Sequence, residues 1–215
     1  MKINRLDRRT SILLTTGIIL CFFYLLMCHI TGRTPETKIY RCFFKFCINA
    51  CWICIAYINS REDHGQLKKK ILISLVFYSI GDILAPANYL IGGIGYFIGH
   101  IFITFGYIKQ YGISKKQILF SAIASTTLII ILILTLGFEI RVPFIAIYIL
   151  LLTTLFVSSF GNKYFFSIVT IFLLSDVLAY VRKMFFNYNW LYDITLSVYY
   201  IAIIMYCLSF CRMEE

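Results

Sequence analysis

Residues 71–108 read ILISLVFYSIGDILAPANYLIGGIGYFIGHIFITFGYI, two long apolar runs joined by a very short connection near Pro86–Tyr89. Each run is long enough to cross a hydrocarbon core of about 30 Å as an α-helix. Asp82 lies inside the first run and His100 inside the second. A carboxylate at the bilayer centre costs roughly 2.5–3.5 kcal/mol on insertion scales, so an ionisable residue there indicates function by default. The stretch therefore predicts two spanning helices that carry functional groups.

The rest of the chain repeats this pattern. Its 215 residues are 60% hydrophobic and 14% charged, with a mean hydropathy of +0.84, whereas soluble domains carry about 25% charged residues. We expect an all-α polytopic membrane protein, a bundle of eight transmembrane helices forming one integral membrane domain over residues 1–215. The expected spans are 12–30, 40–58, 71–88, 89–108, 117–136, 142–160, 163–181 and 191–210.

The net charge of +10 is explained by membrane topology better than by nucleic-acid binding. Basic residues cluster between the apolar runs, where they set orientation and contact anionic headgroups. If the N-terminus is cytoplasmic, most of the 20 Lys and Arg residues fall on inner segments, among them Lys2, Arg5 and Lys68–Lys70. We therefore expect both termini to be cytoplasmic in a multi-pass protein, in the cell (inner) membrane if the source is bacterial.

Four ionisable residues lie well inside predicted spans, away from the span ends and each on a different helix: Lys45, Asp82, His100 and Asp176. Counted from the predicted inner ends at 1.5 Å per residue, all four fall between roughly 12 and 20 Å. A shared depth favours one polar pocket inside the bundle. If Asp82 and Asp176 face that pocket, burial and mutual repulsion would leave one protonated and one ionised, as general acid–base catalysis requires.

Each of these residues also has a structural explanation. The two carboxylates could serve only to hold helices together, and Lys45 could extend toward the outer interface. His100 could be an interior histidine satisfied by hydrogen bonds. Tyr148 and Tyr200 could line the pocket and orient water, although packing alone would also explain them.

Glycines recur along the fourth predicted span, including the pair Gly95 and Gly99. Small residues four apart let helix backbones approach closely in lipid. We expect this face to pack tightly and to bring His100 into the pocket.

Several chemistries find no support in the sequence. Cys51 and Cys54 form a CxxC, but no second CxxC or His pair completes a zinc site. We identify no Gly-x-Ser-x-Gly, His-Glu-x-x-His or phosphate-binding glycine loop, which disfavours a serine hydrolase, a zincin and an ATPase. His29 and His64 are expected to be solvated. No metal and no cofactor are expected.

The residues of this pocket also resemble a known family. FYSIGDILAPANYLIGGIGYFIGHIF, with Gly81-Asp82 in one helix and Phe97 and His100 in the next, resembles the central signature of the YhhN family. FLLSDVLAYVRKMF, with Asp176, and RVPFIAIYILL, with Tyr148, resemble two further helices of that family. Lys45 matches its basic residue in the second helix, although Phe46 replaces the usual proline. The resemblance covers roughly residues 40–210.

This resemblance implies an eight-helix membrane hydrolase that cleaves the vinyl ether bond of lysoplasmalogens, giving a fatty aldehyde and a glycerophosphobase. It implies Asp82 and Asp176 as the acid/base pair, Lys45 as the partner of a phosphate or carboxylate, and His100 as an orienting residue. The expected partners are a lysophospholipid substrate and membrane lipids, with no nucleic acid. Two alternatives stay open: a proton-coupled small-molecule transporter, and a lipid-binding protein without catalysis.

Overall fold

The computed structural model describes residues 7–32, 34–59, 65–137, 142–184 and 188–209, and these are all-helical apart from turns. His64, Lys2 and Arg5 lie outside the described residues. A 3₁₀ turn, Ser159–Gly161, extends the sixth helix. The α-helices are α1 Arg8–Thr31, α2 Lys38–Asn59, α3 Gln66–Leu84, α4 Tyr89–Tyr111, α5 Lys115–Leu136, α6 Val142–Ser158, α7 Lys163–Met184 and α8 Asn189–Ser209.

Seven of the eight described helices are long and apolar enough to cross a membrane by themselves. The exception is α3, because Lys68, Lys69, Lys70 and Asp82 all fall within its 19 residues. The prediction of an all-α polytopic membrane protein is confirmed. The weaker hydropathy of α3 reflects its basic first turn and its single carboxylate.

The predicted bounds of the third span were wrong, since α3 begins at Gln66 rather than Ile71 and ends at Leu84 rather than at residue 88. Its first turn packs inward, and Lys68 is only 3% exposed. Pro86 has no N–H to continue the helix, and the chain turns at residues 85–87. As a result Asp82 lies two residues from the end of α3 and not near its middle.

Neighbouring helices run in alternating directions and pack as hairpins. The closest pairs are α1 with α2, α3 with α4, α5 with α6, and α7 with α8, while α2 also packs on α3 and α8, and α4 on α6. At one end of the bundle, Gln117 near the start of α5 donates to the Val157 carbonyl near the end of α6 (3.0 Å). This end, called the lysine-rich end, carries Lys68–Lys70, and the other is called the Pro86 end. Basic residues gathered at one end are typical of the cytoplasmic side.

The α3–α4 pair is held at short range by glycines, as the sequence predicted. A Cβ built on Gly95 would lie 2.7 Å from both the Cα and the N of Gly81, and a Cβ on Gly92 would lie 2.7 Å from the Cα of Ala85. Gly93, one residue from Gly92, faces open space. The two backbones therefore touch along one face of α4, which brings Asp82 on α3 close to the side chains of α4.

Replacing Gly95 by alanine should separate α3 from α4, because the new methyl would meet backbone atoms that cannot rotate away. We expect Gly95→Ala to cost about 1–3 kcal/mol of stability, as overpacking does, and to lower the unfolding temperature in detergent. The matched control is Gly93→Ala, which meets nothing within 4 Å and should lower stability by no measurable amount. Equal stability of the two variants would contradict the close approach.

Candidate active site

The buried face of α2 places a charged side chain in the interior. Lys45, Ile48, Asn49 and Trp52 are all buried, and they follow the three- and four-residue spacing of one helix face. Lys45 is 3% exposed. Its ammonium therefore points into the bundle, which excludes the alternative that it extends toward the outer interface.

The Asp82 carboxylate accepts four hydrogen bonds from three other helices. Lys45 Nζ donates to Oδ1 at 2.5 Å and Tyr96 Oη to the same oxygen at 3.1 Å. Asn49 Nδ2 donates to Oδ2 at 2.9 Å and Tyr200 Oη at 3.4 Å. These five residues are called the Asp82 cluster. An ammonium and three neutral donors around one carboxylate stabilise its ionised form and leave it little freedom to move.

Asp176 has different surroundings. Tyr148 Oη donates to Asp176 Oδ2 at 3.1 Å, and His100 Nε2 lies 3.0 Å from the same hydroxyl. The other ring nitrogen of His100, Nδ1, lies 2.9 Å from Tyr78 Oη. These four residues are called the Asp176 chain. No basic side chain pairs with Asp176 among the described residues, so its charge is not neutralised as that of Asp82 is.

The hydrogen bonds of the Asp176 chain can point in either direction, from Tyr78 toward Asp176 or from Asp176 toward Tyr78. With an ionised Asp176, the Tyr148 hydroxyl donates to the carboxylate, His100 Nε2–H donates to Tyr148, and Tyr78 donates to Nδ1. With a protonated Asp176, every donor and acceptor exchanges roles and His100 carries its proton on Nδ1. Each arrangement makes all three hydrogen bonds and keeps His100 neutral, but in the protonated one the Tyr78 hydroxyl accepts from His100 and its own hydrogen has no acceptor within the chain. The chain can therefore hold a proton on Asp176 or release it while its three hydrogen bonds are kept.

The two groups are neighbours joined by aromatic rings. Tyr96 of the Asp82 cluster lies 6.4 Å from Tyr78 of the Asp176 chain, centroid to centroid. Tyr199 lies 6.0 Å from Tyr96 and 5.5 Å from Phe172, which lies one turn before Asp176. No hydrogen bond joins the two carboxylates in the described part of the chain. The sequence suggested one shared pocket, whereas the structure has two adjoining polar groups.

Both carboxylates lie nearer the Pro86 end. Lys45 is seven residues from the start of α2, about 10 Å along its axis, and Asp176 is eight residues from the end of α7, about 12 Å. Lys45 pairs with Asp82, which lies only two residues from the end of α3. At the Pro86 end, α3 therefore stops short of the level at which α2 begins. The two carboxylates therefore lie closer to this end than the predicted mid-depth location, whereas Asn49, His100 and Tyr200 lie near the middle of their helices.

The structure adds four residues that sequence reasoning missed, and each lies one helical turn from a residue that it found. Asn49 follows Lys45 by four, Tyr96 precedes His100 by four, and Tyr78 precedes Asp82 by four. Ser79, whose Oγ donates to Asn49 Oδ1 at 3.2 Å, precedes Asp82 by three. Side chains at these spacings share a helix face. The signal was thus present as a polar or hydroxyl residue one turn away from each ionisable residue.

The other candidate ligands lie apart from these groups. His29 is exposed at the end of α1, 3.8 Å from Asp193 of α8. Cys51 and Cys54 carry free thiols, and Cys54 is exposed. In the ranges that the structure covers, no three His, Cys, Asp or Glu side chains gather as a metal site would require.

The profile of the YhhN family matches residues 40–210. The chain belongs to the YhhN family. This match covers α2 to α8, and so includes every helix that contributes to the Asp82 cluster and the Asp176 chain. Comparison with curated proteins gave no match, and comparison with solved structures gave none either.

Removing one partner of the Lys45–Asp82 pair should destabilise the protein strongly, because the other charge would stay buried without its counterion. We expect Lys45→Met and Asp82→Asn each to cost about 3–5 kcal/mol, and the double variant to cost clearly less than their sum. The measurement is a double-mutant cycle on the free energy of unfolding in detergent.

The control cycle uses His29→Gln and Asp193→Asn, whose pair is exposed on the histidine side. It should give a coupling of about 0–1 kcal/mol. Strict additivity at Lys45 and Asp82 would show that the buried ion pair does not form.

Proposed function

We propose that this protein is a membrane-embedded hydrolase that cleaves the vinyl ether bond of lysoplasmalogen-type lysophospholipids. The products would be a fatty aldehyde and a glycerophosphobase. Membership of the YhhN family supports a hydrolase in general terms, and the geometry of the two polar groups supports this reaction in particular.

The observation that carries the proposal is the contrast between the two carboxylates. Asp82 accepts four hydrogen bonds, one of them from the Lys45 ammonium. Asp176 accepts one, from Tyr148. Two carboxyl groups in such different surroundings suit different roles, one as the counterion of an ammonium and one able to hold a proton.

Vinyl ether hydrolysis needs the second of these roles. A proton adds to the vinyl carbon farther from oxygen, and the carbon bonded to oxygen becomes part of an oxocarbenium ion. Water adds to that carbon, and the resulting hemiacetal breaks into an aldehyde and an alcohol. The balance is one water consumed per ether bond, with no net change in protons.

We assign Asp176 as the acid that protonates the vinyl carbon. Once ionised, the same carboxylate can take a proton from the attacking water, which returns it to its starting state. Asp82, which Lys45 and Asn49 hold in place, is the second carboxylate beside the developing cation. In this scheme His100 is a positioning residue, since it acts on Asp176 through Tyr148.

Substituting Asp176 should abolish the reaction while the fold survives. In Asp176→Asn the side chain can still accept a hydrogen bond from Tyr148 but has no acidic proton, so we expect aldehyde release to fall by about 10²–10⁴. The measurement is aldehyde formation from a lysoplasmalogen by purified protein, with the saturated ether analogue as a substrate that should not react. The matched control is Asp193→Asn, at the start of α8, which should keep the wild-type rate.

A wild-type rate in Asp176→Asn would overturn the assignment. If the protein is instead a proton-coupled carrier, the wild-type protein should take up its substrate into vesicles under a proton gradient. It should then release no aldehyde from any vinyl ether.

A further inference from the structure

An apolar groove runs along the outside of the bundle between α2 and α3. Its walls are formed by Phe46, Ala50 and Ile53 on α2 and by Ile83 on α3, and it encloses about 260 Å³. Phe46 is 57% exposed. Because α2 and α3 pack side by side at the perimeter of a membrane bundle, this groove faces acyl chains.

The surface of the groove is almost entirely apolar, but two buried polar residues form its floor with their polar atoms turned into the bundle. Asn49 and Ser79 line it, and both are buried, at 2% and 5% exposure. Ser79 Oγ donates to Asn49 Oδ1 at 3.2 Å, and Asn49 Nδ2 donates to Asp82 Oδ2 at 2.9 Å. The groove therefore reaches to within one side chain of the Asp82 carboxylate.

The groove also has a direction. Ile83 and Phe46 lie toward the Pro86 end, and Cys54, eight residues beyond Phe46 on α2, lines its other end. That distance is about 12 Å along the helix. Lipid chains of both leaflets lie parallel to the groove, but only a lipid in the leaflet at the Pro86 end has its headgroup on the side to which Asp82 and Asp176 lie nearer.

We propose that this groove binds the hydrocarbon chain of the lysolipid substrate, which enters sideways from the leaflet at the Pro86 end. The inference rests on the proposed function and adds the chain-binding site and the leaflet. Walls of aliphatic and aromatic side chains suit an alkenyl chain, and Asn49 at the floor joins the groove to the Asp82 carboxylate.

Filling the groove should select against long chains. In Ala50→Phe the ring would occupy the space between α2 and α3, and we expect kcat/KM for an octadecenyl lysoplasmalogen to fall by about tenfold or more relative to an octenyl one. The matched control is Ala122→Phe, an equal substitution at an exposed position of α5, which should leave the ratio between the two substrates unchanged. An equal loss for both chain lengths in Ala50→Phe, or no loss for either, would overturn the chain-binding site.

A binding measurement separates this inference from the proposed reaction. A lysophospholipid with a diazirine on its chain, irradiated with the wild-type protein, should label residues between Phe46 and Cys54, and labelling there should drop at least fivefold in Ala50→Phe. Labelling of the groove without aldehyde release would support the groove and refute the reaction. Aldehyde release with labels confined to other helices would refute the groove and support the reaction.

Discussion

A single buried ion pair constrains much of this bundle. Lys45 and Asp82 have almost no exposed surface, and charges in such a position are tolerated only when each is paired and its remaining hydrogen bonds are made. Meeting that condition fixes α2 against α3, and the donors Tyr96 and Tyr200 tie α4 and α8 to the same carboxylate. One acidic side chain thus sets the relative position of four helices. The glycines of α4 serve the same end, since only close backbones let Tyr96 reach Asp82.

The fold was largely predictable because lipid restricts the choices. Helices and closed barrels are the two arrangements that satisfy backbone groups in hydrocarbon. Eight apolar runs of about 20 residues fit helices, since barrel strands are about half that long. The error at α3 has a physical reason. Hydropathy assigned Lys68–Lys70 to a loop, whereas tertiary packing buries Lys68 and extends the helix to Gln66. Hydropathy alone does not predict that packing.

The candidate site was predictable in its members but not in its grouping. Rare ionisable residues in apolar runs pointed to Lys45, Asp82, His100 and Asp176, because such positions are costly. The sequence gives depth along each helix but not rotation about its axis. The sequence therefore could not distinguish two separate hydrogen-bonded groups, around Asp82 and Asp176, from one shared pocket. Partners such as Asn49 can be identified only when the orientation of each helix face is known. An ether bond adjoining a headgroup lies closer to the interface than to the bilayer centre. The location of the two carboxylates near the Pro86 end agrees with that depth.

The reversible chain from Tyr78 to Asp176 has a consequence for how the protein could be observed. Adding one proton and reversing the three hydrogen bonds changes only hydrogen positions, by about an ångström each, and leaves the oxygen and nitrogen atoms where they were. The charged and neutral forms of the chain would therefore share one set of heavy-atom coordinates, and X-ray data at ordinary resolution would not distinguish them. Neutron diffraction, or nitrogen NMR of the His100 ring, reads the tautomer directly and would show in which direction the chain is set.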